Sequence, residues 1–422
     1  MEYERILDPH ERAVLANGAR LLVCCEVRGE LDRTVLTATI RVLARIHPVL
    51  AGRFVAVGDD YLVRTGSSDG DGVPTAPLRL AFAEDLDAEA SFTPDWTTGP
   101  LLRVSLIEDA AGVIVAMSLP RAMIDGTSFI ALQHRMWRIY GELLAGKPVF
   151  ARAIEPVLPL SLDERAHEAL TPAGIEEFRC DPAARAAGVV AAMLPTRSTP
   201  PDNGGHGFFG SARIEFDTEH TERIVEAAHR AEATVHELVC GVLLTSARRL
   251  MSAEAIGPLT LACLSAVDMR PRPAPPIPAE ALRSAVSTNT AVVRVDPGAD
   301  PIEVGRAVAA GLRADLRGDV PARGVVDTPT PTPYVLERGT AIPPTLVVIN
   351  LRNITPPALP PGLALVDWFA VPVIDSPLPM AVVARFDGRL RIHLCFSRTW
   401  YDDALMQRLI STSAALFDRI GG

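Results

Sequence analysis

Strand-like and helical stretches follow one another along this chain without strict β-α-β alternation. Strand-like runs at residues 19–27, 51–57, 78–83, 101–107 and 113–119 are interrupted by only one clear helix, which begins at Asp32. Val35, Leu36, Ile40 and Leu43 share one face of that helix, and His47-Pro48 stops it. Later runs at 212–216, 259–265, 291–295, 345–350, 364–373, 380–386 and 390–396 are just as unevenly spaced. A doubly wound parallel sheet needs regular crossovers. The pattern therefore predicts an α/β (α+β) fold of large mixed sheets with flanking helices. At 422 residues the chain exceeds the usual reach of one core, so two domains are expected. The stretch L-P-T-R-S-T-P-P-D-N-G-G-H-G at 194–207 reads as a linker, which sets the expected domains at 1–193 and 194–422.

Residues 113–129, V-I-V-A-M-S-L-P-R-A-M-I-D-G-T-S-F, form the most informative stretch. A strand-like run ends in Asp-Gly and turns into a helix whose Phe129, Leu132, Met136, Ile139 and Leu143 lie on one face. Such corners commonly present a functional group. Here the group is Pro120 followed by Arg121, and neither is a base.

Other chemistries find little support. The net charge of −10 argues against nucleic-acid binding, which runs on clustered Lys and Arg. No apolar run approaches the ~20 residues of a membrane span. The N-terminal M-E-Y-E-R-I-L-D-P-H-E-R lacks the apolar centre of a signal peptide, so a cytoplasmic location is expected. Six cysteines without a C-x-x-C read as buried reduced thiols. G-H-G-F-F-G at 205–210 matches a dinucleotide fingerprint in letters only, since a proline-rich loop precedes it and a strand follows. Walker, H-E-x-x-H and G-x-S-x-G patterns are absent. His220, His229 and His236 are spaced nine and seven apart, which makes no helical metal pair. No metal or cofactor is expected.

Aligned on Asp125-Gly126, P-R-A-M-I-D-G resembles the H-H-x-x-x-D-G motif of a broad acyltransferase superfamily. Chloramphenicol acetyltransferase, nonribosomal-peptide condensation domains, plant BAHD acyltransferases and polyketide-associated acyltransferases of the phthiocerol/phthiodiolone dimycocerosyl transferase type belong to it. L-A-R-I-H-P-V-L-A-G-R-F at 43–54, S-A-V-D-M-R at 265–270 and G-L-R-A-D-L at 311–316 are similar to further segments of these proteins, in the same order. The resemblance implies two chloramphenicol acetyltransferase-like domains with a tunnel between them and the motif at its centre. It implies an ion pair of Asp125 with Arg270 that ties the corner, with Gly126, to the second domain. It also implies a substrate that is an acyl thioester or another apolar small molecule, with an acyl carrier protein as a possible partner; such a bilobed enzyme can work as a monomer.

In that family the second histidine of the motif is the general base. Arg121 stands in its place and stays protonated at neutral pH. Three readings follow. The favoured one is a repurposed natural-product enzyme, in which Arg121 polarises a carbonyl during cyclisation or rearrangement of a bound intermediate. The second is an O- or N-acyltransferase with a relocated base, for which His236 at a helix start is the candidate. The third is a non-catalytic binder of a carrier protein or lipid. Each residue also has a plainer role. Arg121 is equally a partner for Asp125, and His236 a helix-start histidine bonded to backbone. His206 reads as solvent-exposed and His393 as structural. Pro120, Met123, Asn350, Arg352 and Trp368 are the expected substrate contacts, with plain packing the rival role for Trp368.

Overall fold

The computed structural model describes residues 3–65, 78–108, 112–154, 157–180, 191–197, 207–251, 257–326 and 344–421. The expected linker falls largely outside them, as does His206. Two mixed sheets dominate, beside a small sheet of Tyr3–Ile6, Asp60–Thr65 and Arg53–Val57.

The first large sheet has five strands, in the order Leu363–Val373, Arg20–Gly29, Val113–Pro120, Arg103–Glu108 and Leu80–Ala83. Its last pair is parallel and the others are antiparallel. Side chains alternate between faces along a strand. Val23, Cys25, Val115 and Met117 therefore meet the helices Arg33–Ile46 and Gly126–Leu144, through Leu36, Ile40, Phe129 and Met136. Leu22, Cys24 and Ala116 pack on the opposite face with Phe209 and Val371. Asp32 starts the first of these helices by accepting from the Thr34 and Val35 amides at 2.8 and 3.0 Å.

The second large sheet has six strands, in the order Val286–Val295, Leu259–Asp268, Leu346–Ile354, Met380–Phe386, Arg389–Ser397 and Phe209–Glu215. Its middle pairings are parallel. One face carries Ala381, Val383, Ile392 and Leu394 into a core shared with the helices Val235–Leu250 and Asp403–Gly421. The other face sends Val382, Ala384 and Phe386 into the core of the first sheet. The strand Leu363–Val373 lies far down the chain yet pairs with Arg20–Gly29 over its whole length. A division at residue 193 would take this strand out of the sheet it completes.

The helices Val235–Leu250 and Pro301–Arg317 cross at two glycines. A Cβ on Gly305 would lie 2.1 Å from the Glu237 carbonyl oxygen, so this crossing admits no side chain there. The packing fixes the start of the helix that carries His236.

Five of the six cysteines are buried free thiols, and Cys180 is exposed, contrary to the expectation that all are buried. It lies at the end of the helix Pro172–Cys180, outside both large sheets.

His47 and His393 are each 6% exposed. Burial, helped by the charges of Arg135 and Arg213 respectively, pushes both imidazoles down to about 4. Their unfolded values lie near 6.5. Both are neutral in the native state, while the unfolded chain takes up their protons as the pH falls below ~6.5. Their contribution is thus complete above that value and lost on the way down to about 4, at about 3 kcal/mol each. Urea unfolding should show stability dropping steeply between neutral pH and pH ~4.5, with a smaller drop in His393→Gln. Equal midpoints at the two pH values would contradict this account.

Candidate functional site

The strand Val113–Pro120 delivers the corner, and one 3-10 turn, Arg121–Met123, follows it. Asp125 then caps the helix Gly126–Leu144. One carboxylate oxygen accepts from the Ser128 amide at 2.8 Å and the Ser128 hydroxyl at 2.9 Å. The Asp-x-x-Ser spacing is a helix-start signal. The other oxygen accepts from Arg270 Nε at 3.1 Å, from Arg270 Nη2 at 2.9 Å and from the Ala285 amide at 2.9 Å. Asp125 and Arg270 are both buried. Arg270 also donates to the carbonyls of Pro278, Ala281 and Arg283. With five donors on it, the Asp125 carboxylate is a structural tie whose oxygens are already occupied.

Arg121 is held from three directions. Its amide donates to the Ala19 carbonyl at 2.9 Å. Its Nη1 donates to the Ile124 carbonyl at 2.9 Å and to Ser284 Oγ at 2.6 Å. Nε and Nη2 make no hydrogen bond among the described residues. Burial lowers the guanidinium from its usual range, and the Asp125 carboxylate opposes that shift. The group remains a cation at neutral pH.

Arg121 lines a cavity of about 330 Å³ between the two large sheets. Leu21, Ala370 and Pro372 come from the five-stranded sheet, and Ala266, Ile349 and Val382 from the six-stranded one. The wall is mostly apolar. Asp268 also lines it and is the one carboxylate among the described lining residues. Asp268 Oδ1 accepts from the Arg270 amide at 2.9 Å, so the loop that holds Arg270 also orients Asp268.

Gly126, Asn350 and Arg352 share this wall. Asn350 and Arg352 also line a neighbouring cavity of about 480 Å³, together with His236. His236 Nε2 lies 3.1 Å from Ser265 Oγ, while Nδ1 is buried without a partner. Burial lowers its pKa, with Glu237 opposing and Arg352 adding to the shift. The imidazole is therefore neutral at pH 7. The expected backbone bond is replaced by a side-chain hydroxyl.

Three expected substrate contacts lie away from both cavities. Pro120 is buried and closes the sheet register opposite Arg20. Met123 is 2% exposed within the core of the first sheet. Trp368 is 1% exposed in the same core, with its indole N–H on Gln133 Oε1 at 2.6 Å. None of the three lines either cavity. Sequence reading also missed Ser284 and Asp268. Asp268 stood two residues before Arg270 and was readable as a polar strand end. Ser284 carries no signal, because it meets Arg121 only through the fold.

His10 is a further neutral histidine near the corner. Burial, then the Arg121 charge, pushes it down to about 4, while a hydrogen bond to the Val286 backbone opposes the shift. It lines neither cavity.

The fold has close relatives in shape. Polyketide synthase associated protein 5 from Mycobacterium tuberculosis superposes with a TM-score of 0.73 at 18% identity, covering 99% of this chain and 97% of that one. The trichothecene 15-O-acetyltransferase TRI3 from Fusarium sporotrichioides gives 0.74 at 10% identity, covering 99% and 96%. The epimerization domain from the third module of tyrocidine synthetase B gives 0.67 at 14% identity, covering 100% and 96%. This chain has the fold of the condensation-domain and chloramphenicol acetyltransferase-like acyltransferases. Residues 205–395 match the family model described as phthiocerol/phthiodiolone dimycocerosyl transferase C-terminus. A stretch of 150 residues is 26% identical to the nonribosomal peptide synthetase sidC of Arthroderma benhamiae. It makes up 33% of this chain and only 3% of that synthetase. No helix among the described residues is long and apolar enough to cross a membrane.

Proposed function

We propose that this protein is an enzyme of polyketide- or peptide-type natural-product biosynthesis that cyclises or rearranges an acyl-derived intermediate held between its two sheets. The observation that carries the reading is the guanidinium of Arg121 in the wall of a mostly apolar cavity, with Nε and Nη2 uncommitted among the described residues. Fixed donors of this kind stabilise a carbonyl oxygen as it gains negative charge. The cavity walls hold the apolar chain in a reactive conformer. Asp268 is the one carboxylate among the described residues of the same wall. The similar proteins, a polyketide synthase associated protein and a nonribosomal peptide synthetase, support the biosynthetic setting. We take the substrate to be a thioester, presented on coenzyme A or on an acyl carrier protein.

One observation favours a second reading. His236 is neutral, with an unpartnered Nδ1, in a cavity that shares Asn350 and Arg352 with the first. It meets the protonation requirement for the base of an acyltransferase.

Mass spectrometry separates the two. The protein is incubated with poly-β-ketoacyl thioesters of increasing chain length, with and without alcohol and amine acceptors. In these an activated methylene can lose its proton and add to a carbonyl of the same chain, the proton passing to the new alkoxide while the thioester stays intact. A product isomeric with the substrate, formed without acceptor and lost in Arg121→Ala, is the expected result. Esters or amides formed only with acceptor, retained in Arg121→Ala and lost in His236→Ala, would replace the first reading by the second.

A further inference from the structure

The cavity of about 480 Å³ beside the central one has a different character. Arg352 and Arg385 both line it, with Asn350, Asn353 and His236, and no carboxylate occurs among its described lining residues. Neither arginine side chain has an ion pair or hydrogen bond among the described residues. In a chain with a net charge of −10, two unpaired cations facing one hollow are out of keeping with their surroundings.

Two more observations point the same way. The helix Val235–Leu250 starts at this cavity: its cap Thr234 and its first two residues, Val235 and His236, are part of the wall. The cap hydroxyl is spent on the Glu237 amide at 3.2 Å. The Glu237 carboxylate sits in the same first turn, accepting from the Thr234 amide at 2.9 Å and from Arg313 at 2.7 Å, so what the helix start leaves for the hollow is the neutral amides of Val235 and His236. Arg352 also sits at φ +60° within an irregularity of its strand between Asn350 and Asn353. A non-glycine residue is strained in that left-handed region. The turn is held by the Arg352 amide donating to Asn350 Oδ1 at 2.8 Å. This strained bend sets Arg352 in the wall that the two cavities share.

We propose that the second cavity is an oxyanion-binding subsite. It holds a carboxylate or phosphoryl group at one end of an elongated ligand whose apolar part lies in the central cavity. Arg352 and Arg385 supply charge-assisted hydrogen bonds, and Asn353 and the helix start supply neutral donors. The anion comes either from the intermediate itself, as a free carboxylate, or from the phosphate of a coenzyme A or pantetheine carrier arm. The assignment is independent of the reaction performed at Arg121.

Isothermal titration calorimetry on the whole chain tests it without turnover. The probes are decanoate, decanol and coenzyme A, at low and high salt. The expected result is that decanoate binds at least about tenfold tighter than decanol, or that coenzyme A binds measurably. The anionic probe should lose about tenfold or more in Arg352→Gln/Arg385→Gln, as removal of charge-assisted hydrogen bonds implies, and should weaken with salt. Decanoate assigns the anion to the intermediate and coenzyme A to the carrier arm. Arg121→Ala should leave this anion preference in place. Anion binding lost in Arg121→Ala but intact in the double variant would overturn the proposal by placing the anion at Arg121. Equal binding of decanoate and decanol, with no binding of coenzyme A, would overturn it as well. Because no product is measured, failure here leaves the reading of the Arg121 reaction standing, and failure of that reaction leaves the subsite standing.

Discussion

Asp125→Ala is expected to lower the unfolding free energy by about 3–5 kcal/mol, the range for breaking a buried ion pair from one side. The loss comes chiefly from what remains. Arg270, 4% exposed, would keep its charge with only the carbonyls of Pro278, Ala281 and Arg283 to receive it. The Ser128 and Ala285 amides would lose their acceptor at the same time. Asp125→Asn should be nearly as damaging, although it keeps the shape. One carboxylate oxygen faces the Ser128 amide and the other faces Arg270 and the Ala285 amide. Whichever way the amide turns, its NH₂ meets a donor. Removing the second partner as well should cost less than the sum of the single losses, because the stranded charge goes with it. Denaturant unfolding of Asp125→Ala, Arg270→Ala and the double variant measures the coupling. Strict additivity would mean that the pair does not hold the corner to the segment 265–285.

How much of this was readable in the letters depends on the kind of link. Asp125 and Arg270 could be paired only through the family resemblance, because each sits in a segment similar to one of that family's motifs. Hydrophobic periodicity placed most strands and showed which residues alternate. It could not show which sheet a strand joins. The run at 363–373 looks like its neighbours in sequence, yet it pairs with Arg20–Gly29 rather than with the strands that flank it. The same limit explains Trp368, which that pairing turns inward onto Gln133. Pro120 and Met123 flank Arg121 by one and two positions, but a 3-10 turn points successive residues in different directions, so only Arg121 reaches the cavity. Ser284 lies 163 residues from its partner, and no local pattern could announce it. The Arg352 bend was equally hidden, since a left-handed arginine has no composition signal of its own.

Arg121→Ala should reduce turnover of the isomerising reaction by about 10²–10³, the usual effect of removing one fixed donor to a developing oxyanion. KM should move far less, because the apolar wall of Leu21, Ile349, Ala370 and Val382 still binds the chain. The fold should tolerate the change better than it tolerates Asp125→Ala. Only the Ile124 carbonyl and Ser284 Oγ lose a side-chain donor, at a cost of about 1–3 kcal/mol. Arg121→Lys separates charge from geometry. A lysine restores the cation, but as a point charge without the planar fork, so it should recover part of the rate only. Arg121→His is the most telling replacement. An imidazole at this corner can give up its proton within the working pH range, whereas the guanidinium cannot. The isomerising reaction should be lost, and any intermolecular acyl transfer gained should rise with pH as the imidazole becomes a neutral base. Steady-state kinetics across pH, with unfolding curves for each variant, provides the check. Equal turnover in the wild type and Arg121→Ala, with both folded, would leave the cation as a structural partner of Ile124 and Ser284. Catalysis would then have to be sought at Asp268 and His236.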